Sequence, residues 1–393
     1  MNVAPLLDLL LVVVLLGYVI YGLVIGLTRG IFVIAGVGVG IFFATMLAPA
    51  ASQLVALPQL RAIVAISVAI GLVALGHAVG VAAGKAIHVE IQTSALRGAN
   101  RAVGGLVIGV VAALVISTVS FSAAQLGLPV LSRTIASSAV IRTIQDITPD
   151  VVEASIARWR TVLTEQALPL LGSPLGDPNA LIPTIDSDSP ALAAAAQSVV
   201  RITGNAYACG QGQTGSGFVI APERVMTNAH VISGTTDPVV EALNGQVLPS
   251  TIVYFDSVND LAVLAVPGLS LDPLRLGVTA RPGTSTAIQG YPYGGPFSTH
   301  AALVQHISTF ESPDIYGDGA APREVYTLAG QVNPGNSGGP LLTLDGEFVG
   351  TIFGSSTEQN NVGYALTLDA VQPVVDNAAD LTSTVSSGAC IAR

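Results

Sequence analysis

The stretch Gly335-Asn336-Ser337-Gly338-Gly339-Pro340 decides how this chain is read. A serine hydroxyl is a poor nucleophile until a histidine takes its proton. Glycines on both sides let the backbone turn sharply and aim amide N–H groups at a developing oxyanion. Upstream, Thr227-Asn228-Ala229-His230 offers the base, and Asn259-Asp260-Leu261-Ala262-Val263-Leu264 lies between the two. Each motif alone is weak, because an Asn-Ser-Gly run is ordinarily a turn and a lone histidine ordinarily structural. Together they set out His230, Asp260 and Ser337 in that order, with gaps of 30 and 77 residues. Asp256, four residues before Asp260, is the rival acid.

Around these residues run short Val, Ile and Thr-rich segments separated by Gly, Pro and Asn. They include Gly217 to Ile220, Arg224 to Thr227, Leu261 to Val266, Val325 to Ala329, Phe348 to Ile352 and Gly363 to Leu368. Such spacing predicts an all-β sandwich or barrel. A short alanine-rich helix is expected after Ser189-Pro190, before Ser198-Val199-Val200-Arg201-Ile202.

The run Gly215-Ser216-Gly217-Phe218-Val219-Ile220 ahead of Val225-Met226-Thr227-Asn228-Ala229-His230-Val231 resembles the first barrel of trypsin-like proteases, particularly the bacterial HtrA group. The chain order His, Asp, Ser is that of the chymotrypsin fold. The resemblance covers roughly Ser198 to Ala379 and implies a double β-barrel serine endopeptidase. It assigns the base to His230, the acid to Asp260 and the nucleophile to Ser337, with the turn Gly335, Asn336 and Ser337 as oxyanion hole. Phe348 to Ser355 is similar to the substrate-binding strand, so Phe353 and Gly354 would line the specificity pocket. Asn361 to Leu366 is similar to the strand that closes it, through Gly363, and Gln331 falls at its base. A neutral base implies cleavage after a small or apolar side chain. Asn336 stands where zymogen-activated relatives carry an aspartate, so activation by a new N-terminal ion pair is not expected. Only 56 residues follow Ser337, too few for the PDZ domain of typical HtrA proteins.

Composition points to a second part. The chain has 393 residues, of which 51% are hydrophobic and 10% charged, against about 25% charged in ordinary soluble domains. The imbalance is concentrated in four apolar stretches at 9–27, 31–48, 62–84 and 102–124. Each approaches or exceeds the ~18 apolar residues expected of a membrane-spanning helix. Residues 1–127 are thus expected to form a four-helix transmembrane domain, 128–189 a connector, and 190–393 the β-rich domain. The N-terminus lacks a basic segment and carries Asp8, so it does not read as a cleavable signal peptide. Asp8 followed by Gly26-Leu27-Thr28-Arg29-Gly30 resembles the colicin V production membrane family, CvpA. Four spans joined to a PDZ-less trypsin-like domain with a cysteine near each of its ends resemble the membrane-anchored acid-resistance serine proteases of mycobacteria. That likeness implies a role in acid or oxidative stress. Acid alone would not help the base, since a free imidazole titrates near about 6.5. Acid is therefore expected to act through surface carboxylates or the connector.

Arg29, Lys85, Arg97 and Arg101 fall in the first and third links, while Arg61 alone marks the second. The positive-inside rule then puts both the N-terminus and everything after Ala124 outside the cytoplasm. The protein is expected in the inner membrane, with its protease domain extracytoplasmic and its substrates among envelope or secreted proteins. Residues 1–127 carry +3 from five basic and two acidic groups, leaving −13 of the total −10 for the rest. An acidic exterior argues against nucleic acid as a partner.

Cys209 and Cys390 lie near the two ends of the predicted protease domain. A disulfide between them would close most of it into one loop, stabilising it by up to about 5 kcal/mol; two unpaired thiols are the alternative. No Cys or His pair has metal-ligand spacing, so neither a metal nor a cofactor is expected. In the connector, Thr148-Pro149-Asp150 reads as a helix start, with Val152, Ile156, Trp159 and Leu163 as one apolar stripe. Gly172 to Pro190 reads as a linker. The competing reading of the whole chain is a CvpA-like scaffold or transport component whose outer domain only binds peptides. No oligomeric state follows from the sequence.

Overall fold

The computed structural model describes residues 4–53, 58–86, 94–124, 134–135, 137–149, 152, 170–171, 176–177, 179–206, 211–235, 237–319, 321–356, 359 and 361–391. These form two compact units, Met1–Pro149 and Asp150–Arg393. The connector expected at 128–189 is divided between them.

The first unit contains three long apolar helices, α1 (Ala4–Gln53), α2 (Pro58–Ala86) and α3 (Ser94–Ala124). Three segments among the described residues are long and apolar enough to cross a membrane: Pro5–Ala48, Ser67–Ala86 and Leu96–Ser120. The first two expected spans therefore fall within one assigned helix. A straight helix of 44 residues would measure about 66 Å at ~1.5 Å per residue, twice the ~30 Å hydrocarbon core. α1 is not straight. Gly26 breaks it with φ 73 and ψ 168, values outside the helical region. Before the break, Gly22 lies against Gly104 and Gly105, and Val19 against Gly109; beyond it, Gly30 lies against Ile108. The chain has thus reversed along α3 within four residues. The second arm then packs on α2, where β-carbons at Gly36 and Gly40 would strike the Gly76 and Leu72 carbonyls. Gly38 has nothing within 4 Å, as expected of the opposite helix face. Small residues here allow backbones to approach, the usual basis of helix association in lipid.

Ala139–Ile147 forms a fourth helix, α4, that the sequence reading missed. Its N-cap, Ser138, accepts a hydrogen bond from Ile141 N–H at 3.2 Å. Asp8 accepts from Ser138 Oγ and from the amides of Ala139 and Val140. A carboxylate at the positive end of the helix is favourable. Thr148, expected to begin a helix, is the C-cap of α4, its amide donating to Ile144 O, and Val152 beyond it is helical. Ile156, Trp159 and Leu163, the rest of the expected stripe, lie outside the described residues.

In the second unit the barrels are preceded by β1 (Leu170–Leu171) and α5 (Pro190–Ala196), the expected alanine-rich helix, capped by Ser189. Between them, the part of the expected linker that is described lies on the fold. Gly176 sits against Val362 and Thr327, Asp177 exchanges hydrogen bonds with Gln305, and Ile185 packs on the core.

Seven strands follow: β2 (Val199–Ala206), β3 (Gln211–Ala221), β4 (Arg224–Thr227), β5 (Val239–Ala242), β6 (Val247–Pro249), β7 (Thr251–Asp256) and β8 (Leu261–Ala265). A short helix, α6 (Ala229–Ile232), interrupts them. They form one sheet in the order β6-β5-β2-β3-β4-β8-β7. The second barrel contains β9 (Ser285–Gly290), β10 (Ser298–Ser312), β11 (Ala321–Gly330), β12 (Pro340–Thr343), β13 (Phe348–Ser356) and β14 (Val362–Thr367). Its order β13-β12-β9-β10-β11-β14 closes through β13–β14, while β1 adds in parallel on β13 at Ser355 and Ser356. Helix α7 (Leu368–Asn377) follows.

Alternation along the strands explains the packing. Val200, Val219, Val225, Ala262 and Leu264 point into the first barrel's core. Their neighbours Val199, Phe218, Met226, Leu261 and Val263 join Phe348, Phe353 and Tyr364 in a core shared by the two barrels. Successive side chains of a strand face opposite ways, so a strand covered on both sides reads as an unbroken apolar run. The run Leu261 to Ala265, buried at all five positions, is such a strand.

Candidate active site

His230 sits on α6, just past the end of β4, and Asp260 immediately precedes β8; β4 and β8 are hydrogen-bonded neighbours. Adjacent strands therefore carry base and acid to the same edge. Asp260 Oδ2 lies 2.7 Å from His230 Nδ1, and Oδ1 accepts the His230 backbone N–H at 2.9 Å. Asn228 Nδ2 donates to the Asp260 carbonyl at 2.8 Å. Asp260 is 1% exposed and adopts a left-handed φ of 56, a conformation rarely held without outside support. With Nδ1–H directed at the carboxylate, Nε2 is the nitrogen left to accept a proton.

The support for Asp260 comes from the rival acid. Asp256 accepts from the amides of Val258 and Asn259, from Asn259 Nδ2 and from Tyr254 Oη, so it builds the turn rather than meeting the imidazole. Burial raises its pKa, but these hydrogen bonds outweigh it and hold the carboxyl below its usual range. Burial, with Asp256 beside it, pushes the Tyr254 phenol up to about 12, keeping it a donor. Because the folded pKa of Asp256 is depressed, its contribution to stability is complete above the unfolded value of about 3.9 and is lost as pH falls through the folded one. Asp256→Asn is expected to lower stability by about 1 kcal/mol at neutral pH. The gap from wild type should close in urea titrations taken below pH ~4.

Ser337 is 3% exposed and His230 9%. Gly215 brings them into one cleft: a β-carbon there would lie 2.6 Å from Val231 Cγ1 and 3.1 Å from Ser337 O. Ser337 O accepts the Ser216 amide at 2.8 Å. Gly338, with φ 80, presses against Thr227, Ser216 and Asn228, so the turn after the serine abuts the strand end before the histidine. Among the described residues no hydrogen bond joins Ser337 Oγ to His230, a contact that in free enzymes often forms only with substrate bound.

The Asn336 amide donates to Asn333 O at 3.0 Å, so this residue frames the turn and is not a free donor. The Gly335 and Ser337 amides donate to nothing else among the described residues. Ser216 was passed over in the sequence reading: its Oγ donates to Gly335 O at 2.6 Å and accepts the Tyr291 amide at 2.9 Å. Its place between two glycines was the available signal.

Phe353 is buried beside Tyr364, with ring centroids 6.5 Å apart, at a bulge in β13. Gly354 and Ser355 pair with Tyr364 and Gly363. Gln331, expected at the pocket base, is exposed. The next residue, Val332, is buried and packs on Gly363. Cys209 lies outside the described residues, and among those described there is no free cysteine.

Two β-barrels with a carboxylate–imidazole pair and a glycine-framed serine in one cleft define a trypsin-like serine endopeptidase. Residues 215–350 match the trypsin-like peptidase domain family and residues 7–149 the colicin V production protein family. The serine protease Rv3671c of Mycobacterium tuberculosis is 34% identical over 270 residues, 67% of this chain and 67% of that protein. A probable DegP-like periplasmic serine endoprotease of Halomonas elongata is 34% identical over 172 residues, 41% of this chain and 34% of that one. The crystal structure of the Rv3671c protease in its active form covers 56% of this chain and all of the solved one, at 36% identity and a TM-score of 0.51. The chain belongs to the membrane serine proteases that join a colicin V production region to a trypsin-like peptidase domain. It is a hydrolase acting on protein substrates.

Proposed function

We propose that Ser337 Oγ attacks the scissile carbonyl while His230 Nε2 takes its proton and then delivers it to the leaving amine. Asp260 holds the imidazole in the required tautomer and stabilises its charged form. The Gly335 and Ser337 amides receive the oxyanion. Water, activated by the same histidine, releases the acyl group. The observation that carries this reading is the double hold of Asp260 on His230, at the ring and at the backbone.

In this reading the protease domain faces outward from the inner membrane, anchored by several spans, and cuts envelope or secreted proteins. The basic residues of the first and third links support that orientation. Val332 beside Gly363 supports a preference for small or apolar side chains at the cleaved position. Cys209 and Cys390, near the two ends of a domain placed in an oxidising compartment, are taken as a disulfide, and the cellular role as acid or oxidative stress resistance, as the resemblance to mycobacterial acid-resistance proteases implies. The test compares shed envelope peptides from cells carrying wild type or Ser337→Ala. New C-termini after small or apolar residues, present only with wild type, are expected. Identical peptide sets would contradict the assignment.

A further inference from the structure

We propose that Arg201, a residue of the first barrel, is a positioning residue for hydrolysis that sets the direction of the Gly335 amide. The inference rests on the reading of Gly335 and Ser337 as oxyanion donors. The Pro334–Gly335 peptide is trans, so its C=O and N–H point in opposite directions. The Pro334 carbonyl accepts the Tyr293 backbone N–H. Whatever holds Tyr293 therefore aims the Gly335 N–H the other way. Gly335 itself has φ 93, and a β-carbon on it would strike Tyr291 O and lie 2.7 Å from Tyr293 N and 2.9 Å from Gly294 N. Segment 291–295 is thus the wall against which the oxyanion turn is moulded.

That wall is strained. Tyr293 has φ 60 and ψ 17, a left-handed conformation that persists in a non-glycine residue only when its surroundings impose it. Tyr293 Oη donates to Asn333 Oδ1 at 2.8 Å, a tie to the turn itself. Two residues tie the wall to the other barrel: Ser216, whose Oγ holds Gly335 O and the Tyr291 amide, and Arg201. Its Nη1 donates to Gly294 O at 3.0 Å, its Nη2 lies 2.6 Å from Glu241 Oε2, and its guanidinium carbon stands 5.8 Å from the Tyr291 ring centroid. Arg201 and Glu241 are directly opposed on β2 and β5, so the carboxylate fixes the guanidinium without distorting either strand. The Arg201 side chain is only 11% exposed. A planar guanidinium can meet a carboxylate, a carbonyl and a ring face at once, and an ammonium cannot. Arg201 thereby couples the barrel that carries His230 to the donor direction in the barrel that carries Ser337.

The test uses the full-length chain in detergent micelles, as wild type, Arg201→Ala, Arg201→Lys, Glu241→Gln and Ser337→Ala. Working sites are counted by exhaustive fluorophosphonate labelling, so that unfolded molecules do not enter kcat. Losing one oxyanion donor outright costs roughly 100 to 1,000-fold. A misdirected donor is expected to cost about 10 to 100-fold in kcat per labelled site for Arg201→Ala, with KM nearly unchanged. Affinity for a peptidyl boronate, whose oxygen takes the oxyanion's place, should fall in step. Arg201→Lys should recover only part of the loss, and Glu241→Gln should show a smaller loss of the same kind. Unchanged kcat per site in Arg201→Ala, or in both Arg201→Lys and Glu241→Gln should Arg201→Ala not fold, overturns the proposal whatever the melting point does. Hydrolysis surviving in Ser337→Ala would instead overturn the underlying reading of the site.

Discussion

Ser337→Ala is expected to reduce peptide hydrolysis by about six orders of magnitude while leaving the fold intact. The hydroxyl is the only atom removed. Ser337 is held through its backbone carbonyl, which accepts the Ser216 amide, and through the turn whose Asn336 amide donates to Asn333 O. None of these bonds involves Oγ. The thermal midpoint and the circular dichroism spectrum should therefore match those of wild type. His230→Ala should approach the same residual rate, because nucleophile and base act as a unit and their losses do not add. A Ser337→Ala protein that still turned over substrate at a hundredth of the wild-type rate would place the nucleophile elsewhere.

Gly338→Val should be the most damaging single change to stability in the cleft. The residue has φ 80, and an added β-carbon would collide with Thr227 Oγ1 and Ser216 O and lie 3.1 Å from Asn228 N. Left-handed backbone costs an L-residue roughly 1–2 kcal/mol, and overpacking a tight site costs about 1–3 kcal/mol. The buried hydrogen bond from Thr227 Oγ1 to Ser216 O, 2.8 Å long, adds about 1 kcal/mol if it breaks. Together these make about 3–6 kcal/mol, a large part of the ~5–15 kcal/mol that stabilises a typical domain. Urea unfolding of the variant should show a midpoint lowered in proportion, with activity lost even where the chain stays folded. The collision is with the strand end that delivers His230, so a folded variant must separate base from nucleophile. A midpoint within error of wild type would mean that the two turns do not meet as described.

The chemistry was more legible than the architecture that supports it. His230, Asp260 and Ser337 stand in local contexts that only a few conformations satisfy. A glycine-framed serine needs the positive φ seen at Gly335 and Gly338, and residue type records that need. Arg224 to Thr227 and the buried run from Leu261 were readable as strands because period and composition agree there. The supporting contacts were not readable, since they join residues far apart in the chain. Ser216 meets Gly335 across 119 residues, and Arg201 meets Gly294 across 93; no spacing rule encodes either pair. Gln331 was placed at the pocket base by resemblance alone, which does not show burial: Gln331 is exposed, and its neighbour Val332 is the buried residue that packs on Gly363. Thr148 carries side-chain and proline signals suited to a helix start, and Val152 beyond it is helical; that it also ends the helix before it was not readable. The turn between the first two expected spans was legible to within a few residues: composition places it at 28–30, and the break lies at Gly26. Apolar composition marks a span but not the residue at which it ends, and it did not single out that glycine.

The most direct test of the account is covalent labelling of the full-length protein with a fluorophosphonate, the modified residue being located by peptide mass spectrometry. Phosphonylation is predicted at Ser337 alone, to be lost in Ser337→Ala and slowed by orders of magnitude in His230→Ala and Asp260→Ala. Modification of another serine, or labelling of Ser337 at an undiminished rate without the imidazole, would contradict it.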